Sequence, residues 1–71
     1  MVSPGYMSFE LVATSEKDWK DAVIEAYNAA KKTVYGIRSI QILERDVKVK
    51  EDLDKLIFRV RVRVNFQIAE K

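Results

Sequence analysis

The residues from Leu56 to Ile68 read Leu-Ile-Phe-Arg-Val-Arg-Val-Arg-Val-Asn-Phe-Gln-Ile. Every even position, from Leu56 and Phe58 through Val60, Val62, Val64 and Phe66 to Ile68, is apolar. After Ile57, the odd positions between them carry Arg59, Arg61, Arg63, Asn65 and Gln67. A strict two-residue period identifies a strand with one face on a core. Its other face carries three guanidinium groups about 6.6 Å apart. Neighbouring charges at that spacing repel by only about 0.6 kcal/mol in water. The row is therefore stable facing solvent, a ligand or carboxylate partners, and it frames the functional question.

Working back from this strand, Lys50-Glu51-Asp52-Leu53-Asp54 reads as a charged turn. The segment 37–49 reads as a second strand, with Ile40 and Ile42 facing the core. Its apolar phase changes from even to odd at Val47 and Val49, which predicts a bulge around Leu43-Glu44-Arg45. Trp19, Ala22, Val23, Ala26, Ala30 and Val34 recur at three- and four-residue steps, the stripe of an amphipathic helix reaching about Tyr35. Ser15 with Asp18 three places on resembles a capping box, and Gly36 suits the position just past the helix. Ser8 to Ala13 reads as the first strand, and residues 1–7 as a flexible lead-in to one domain spanning 8–71.

The fold class expected is α+β. A β-α-β-β protomer carries a three-stranded antiparallel sheet of order 1-3-2 against one long helix. One helix covers only one face of such a sheet. The other, with Arg59, Arg61 and Arg63 beside Ser39 and Gln41, stays open. Seventy-one residues supply a small core, and with no cysteine neither disulfides nor thiolate metal sites can support it. Self-association is the remaining source of stability, and 48% hydrophobic residues favour it.

Composition also narrows the chemistry. The chain has no histidine, and its serines have no evident activating base, so it is read as a non-enzyme. Thirteen basic and eleven acidic residues leave a net charge of +2, too balanced for a dedicated nucleic-acid binder. No apolar run has membrane-spanning length and no signal-peptide pattern is present, so a cytoplasmic protein with no membrane partner is expected. Ion pairing is the first reading of the arginine row, with Glu10 and Glu44 as partners within or between subunits. Glu10, Arg61 and Arg63 are accordingly assigned to an interface. A small anionic ligand is the second reading, because guanidinium matches phosphate geometry. Nucleic acid is the third.

The chain resembles the dodecin family. The carriers are Glu10-Leu11-Val12-Ala13-Thr14-Ser15 followed by Trp19, Ala22 and Val23, then Thr33, the 37–44 strand and the alternating final strand. The resemblance spans residues 8–69. It implies a sheet wrapped on the helix and a hollow homododecamer built from trimers, holding flavins between subunits. It also implies that the flavin-stacking tryptophan of the second strand is replaced by Ser39, and a flavin-bonding glutamine of the last strand by Arg59. Ser39, Gln41 and Arg59 are thus the ligand-site positions, and Glu44 matches an acidic position near which cations can sit. Stacking on an aromatic plane adds about 0.5–1.5 kcal/mol beyond area burial, which Ser39 cannot supply. The function expected is a non-enzymatic small-ligand storage shell with an altered flavin site, binding flavin weakly or not at all, or taking another anionic ligand. A conventional riboflavin or FMN store with a rearranged site, and a structural or nucleic-acid-associated assembly, are the alternatives.

Overall fold

The structure is a computed structural model that describes residues 6–67. Strand β1 (Tyr6–Ser15) leads into helix α1 (Trp19–Lys31), followed by β2 (Ile37–Lys50), a 3-10 turn (Glu51–Leu53) and β3 (Lys55–Gln67). All pairing is antiparallel and β3 lies in the centre, giving the order β1-β3-β2 expected from the sequence. Ile68, the last position of the expected strand, lies outside the described residues, as do residues 1–5 of the expected lead-in. Tyr6 and Met7 belong to β1, paired with Gln67 and Phe66.

The alternation of β3 does what its period requires. Val60, Val62 and Val64 are fully buried, and each such side chain contributes about 1.5–3 kcal/mol. They meet Ala22, Ala26 and Ala30 of α1, whose small side chains allow the helix backbone to lie close on the sheet. Phe9, Leu11, Ala13, Trp19, Val23, Ile37 and Ile40 pack around this centre. Edge-on ring pairs close both ends, Phe9 with Phe66 at 5.8 Å and Trp19 with Phe58 at 5.2 Å. Helix α1 lies over β1 and β3 and barely reaches β2. Ile42, opposite Val62 on the helix side, consequently remains 47% exposed.

The helix is shorter than its apolar stripe. Its thirteen residues span about 20 Å, because the chain leaves it at Lys32 rather than at Tyr35. The amides of Thr33 and Val34 both donate to the carbonyl oxygen of Ala30, ending the regular ladder. The N-cap is Asp18, not Ser15: its Oδ1 accepts from the Asp21 amide at 2.7 Å. Ser15 instead closes the strand-to-helix corner, donating to Asp21 Oδ2 at 2.7 Å and accepting from the Lys17 amide at 2.9 Å. Gly36 is likewise not the helix C′ residue. It sits in the next turn at φ +69°, its carbonyl accepting from the Gln67 amide at 3.0 Å.

Strand β2 carries two irregularities, at Arg38 and at Leu43. The second is the bulge expected from the phase change, and its cause is visible in the pairing. Ile42 faces Val62 and Glu44 faces Arg61, so Leu43 is the extra residue. Regular pairing beyond Ile42 would set Arg45 against Arg59 and turn Glu44 and Asp46 towards the core side, opposite Val60 and Phe58. Like charges opposed across strands and carboxylates against apolar partners are both unfavourable. One extra residue removes both conflicts.

The protomer is extended, with a radius of gyration of 14.9 Å. A compact chain of this length would have about 11 Å. Strand β1 stops at Ser15, opposite Phe58, so the β2–β3 hairpin projects beyond it with Val49, Leu53 and Leu56 exposed. Among the described residues no helix is long and apolar enough to cross a membrane.

Candidate functional site: the open face of the sheet

The face turned away from α1 is built by the odd residues of β3 and their cross-strand neighbours. Opposite Arg59 lie Thr14 and Asp46, opposite Arg61 lie Val12 and Glu44, and opposite Arg63 lie Glu10 and Gln41. Asn65 follows, between Ser8 and Ser39.

The arginines are all paired within the chain. Arg59 grips Asp46 at two points, Nε donating to Oδ1 at 2.9 Å and Nη2 to Oδ2. Arg61 spans the sheet, its Nη1 donating to Glu10 Oε1 at 2.7 Å and its Nε to Glu44 Oε1 at 3.1 Å. Arg63 Nη2 donates to the second Glu10 oxygen at 3.2 Å. Hydrogen bonds from Arg63 and Arg61 hold the Glu10 carboxyl below its ordinary range. The bond from Arg59 does the same to Asp46. Reciprocally, Asp46 raises Arg59, while Glu44 and then Glu10 raise Arg61. Charge on this half of the face is balanced, three guanidiniums against three carboxylates.

The other half is hydrogen-bonding and, among the described residues, uncharged apart from Arg38. Asn65 Nδ2 donates to Ser39 Oγ at 3.1 Å. Arg38, the extra residue of the first irregularity, donates from Nε and Nη2 to Gln67 Oε1 at 3.0 and 2.7 Å.

Three positions assigned to a ligand site do not converge in one protomer. Ser39 lies opposite Asn65 and Arg59 opposite Asp46, six residues apart along β3, about 20 Å. Gln41, opposite Arg63, lies between them. Ser39 presents a hydroxyl that accepts from Asn65 Nδ2. Glu10, Arg61 and Arg63, assigned to an interface, form one connected network inside the chain, and Glu44 joins it through Arg61. Glu44 is bonded to a guanidinium, and no group of three or more acidic, histidine or cysteine side chains fit for a metal occurs among the described residues.

Asp46 is the residue that sequence reasoning missed. It lines a depression of about 380 Å³ with Val12, Glu44, Arg45, Arg59 and Arg61. The phase change at Val47 was the signal: the same shift that turns Val47 inward turns Asp46 outward. Its main chain is held from the core side, where Trp19 Nε1 donates to the Asp46 carbonyl oxygen at 3.2 Å. The Arg45 guanidinium lies 4.9 Å above the Trp19 ring.

A small β-α-β-β sheet with one face under a helix and the other carrying cross-strand ion pairs defines the class of protein. Comparison gives it a family: the dodecin family model matches residues 6–69, and the chain belongs to the dodecin family. Calcium dodecin of Mycobacterium tuberculosis is 29% identical over 63 residues, covering 89% of this chain and 87% of that protein. Its crystal structure superposes with a TM-score of 0.81 at 27% identity, covering 94% of both chains. A Thermus thermophilus protein of known structure gives a TM-score of 0.87 at 26% identity, covering 97% of this chain and all of that one. The dodecin of Streptomyces davaonensis, at 19% identity and a TM-score of 0.86 over 97% of this chain and all of that one, shares the fold.

Proposed function

We propose that this chain is a non-enzymatic protein that binds and stores a small ligand. In this reading it assembles with copies of itself into a hollow dodecameric shell, and its flavin site is altered. The separation of about 20 Å between Ser39 and Arg59 along β3 supports it most directly. A compact ligand touching both positions would draw them from different copies of the chain. The extended protomer and the exposed apolar residues of its hairpin favour the same assembly. Ser39 in place of a ring argues for weak flavin binding or none. The lack of histidine and cysteine supports a binding role over catalysis.

The calcium-chelating relative raises a cation as cargo. Here both carboxylate oxygens of Glu10 and of Asp46 already hold a guanidinium, so a cation bound there would have to displace an arginine, whereas Glu44 is held through Oε1 alone. An anion faces the mirror problem, because it must compete with those carboxylates.

The test has two arms. Light scattering of the native protein is expected to give a mass near twelve chains, and a monomeric or trimeric mass under mild conditions refutes the shell. Native mass spectrometry after gentle purification is expected to find a retained small molecule, with riboflavin fluorescence little quenched at micromolar protein. Strong quenching would make the chain a conventional flavin store. An empty particle that also ignores riboflavin would refute ligand storage.

A further inference from the structure

The depression at the Leu43 bulge is lined by three arginines and two acidic residues, yet its chemistry is set by one pair. Arg61 keeps a second carboxylate, Glu10, whatever Glu44 does. Arg45 is turned to the core side, over Trp19. Among the described residues Arg59 is hydrogen-bonded to one carboxylate, Asp46, which takes Nε and Nη2 together. That two-point fork is the geometry by which a guanidinium recognises phosphate. Asp46 thus occupies, from within the chain, the donors that a phosphate oxygen pair would use.

Asp46 is also placed with care. The bulge puts it opposite Arg59 where regular pairing would put Arg45. The Trp19 indole fixes its carbonyl from the opposite side of the sheet.

We infer that Asp46 is a specificity-determining residue, an internal phosphate mimic that closes the Arg59 fork to phosphate-bearing ligands and leaves the depression to uncharged ones. The inference deepens the ligand-storage reading by naming the class of ligand excluded. Its test does not require flavin or any stored molecule.

The probe is inorganic pyrophosphate, titrated calorimetrically into the native assembled protein at low salt. Asp46→Asn keeps the side-chain shape and removes the charge. It is expected to bind pyrophosphate at least about tenfold more tightly than the wild type, the scale of a new charge-assisted fork. Adding Arg59→Gln to Asp46→Asn should abolish the gain. Glu44→Gln removes one negative charge from the same depression but leaves Arg61 held by Glu10, so its gain should stay below about threefold.

Equal affinity in the wild type and Asp46→Asn overturns the inference. So does an equal gain in Glu44→Gln, which would assign the effect to net charge alone. Circular dichroism and the light-scattering mass check each variant, and Asp46→Ser serves if the asparagine variant does not fold. A failure of flavin or ligand storage would leave the pyrophosphate comparison intact, so the two readings fail separately.

Discussion

Gly36 joins the helix-to-strand turn to the end of the sheet, and replacing it measures how closely the two approach. Its φ of +69° lies in the left-handed region. An L-residue there costs about 1–2 kcal/mol. A Cβ at this position would lie 2.8 Å from the Gln67 carbonyl oxygen, a backbone atom that cannot move alone. Relieving that contact pushes the turn from β3 and weakens the Gln67 amide bond to the Gly36 carbonyl, 3.0 Å long. A bond of that kind contributes about 0.5–1.5 kcal/mol. Gly36→Ala should therefore cost about 1.5–3.5 kcal/mol, the two contributions together. Against a typical domain stability of about 5–15 kcal/mol that is a large loss. Urea unfolding, followed by circular dichroism at fixed protein concentration, reads the difference, since assembly makes stability depend on concentration. Gly36→Asn separates the causes. Asparagine tolerates left-handed backbone but keeps the Cβ, so it should recover about 1 kcal/mol of the alanine loss. An alanine variant within about 0.5 kcal/mol of the wild type, the range of an ordinary surface change, would refute the close approach.

Acid should weaken the fold through Glu10 and Asp46. Both carboxyls are depressed in the folded protein, so their contribution is present above the unfolded-chain values, 4.5 and 3.8, and is lost as pH falls through the lower folded ones. Urea midpoints from pH 7 to 2.5 should show this fall, and the double variant Glu10→Gln/Asp46→Asn should flatten it. Trp19→Phe removes the indole bond to the Asp46 carbonyl, with an expected loss of about 0.5–1.5 kcal/mol in thermal or urea unfolding. No loss would mean that bond is idle. Ala26→Leu forces a large side chain into a fully buried helix–sheet contact and should destabilise by about 1–3 kcal/mol in the same assay.

The sheet was legible because burial and sequence share one period. The even residues of β3 alternate without a break, and their partners followed from element order. The bulge was legible too, since Val47 and Val49 fall out of phase with Ile40 and Ile42. What escaped was its effect on the charged residues between them: counting parity through Leu43 leaves Asp46 on the core side and Arg59 without its partner. The helix ends were misread for a different reason. Val34 continues the apolar stripe by position while its backbone has left the helix. Ser15 is a good cap by type, yet Asp18 stands nearer the first turn and Ser15 is held at the end of β1. Capping is settled by which side chain reaches a free amide, and spacing alone does not fix that.

Leu43 carries one more consequence. The bulge divides β2 into two reading frames, and only their relative offset matters to the surfaces they display. Deleting Leu43 would keep Glu44 against Arg61 and Asp46 against Arg59, because the extra residue alone is lost. Inserting one ordinary residue after it, with the strand pairing regularly beyond, would exchange every side chain from Glu44 to Lys50 between faces. Lys48 and Lys50 would turn to the core side and Val47 and Val49 to the open one. The electrostatic character of half this protein's exposed sheet is therefore encoded in a count of residues as much as in their identities. A single codon gained after Leu43 would redraw that surface while leaving every arginine of β3 in place.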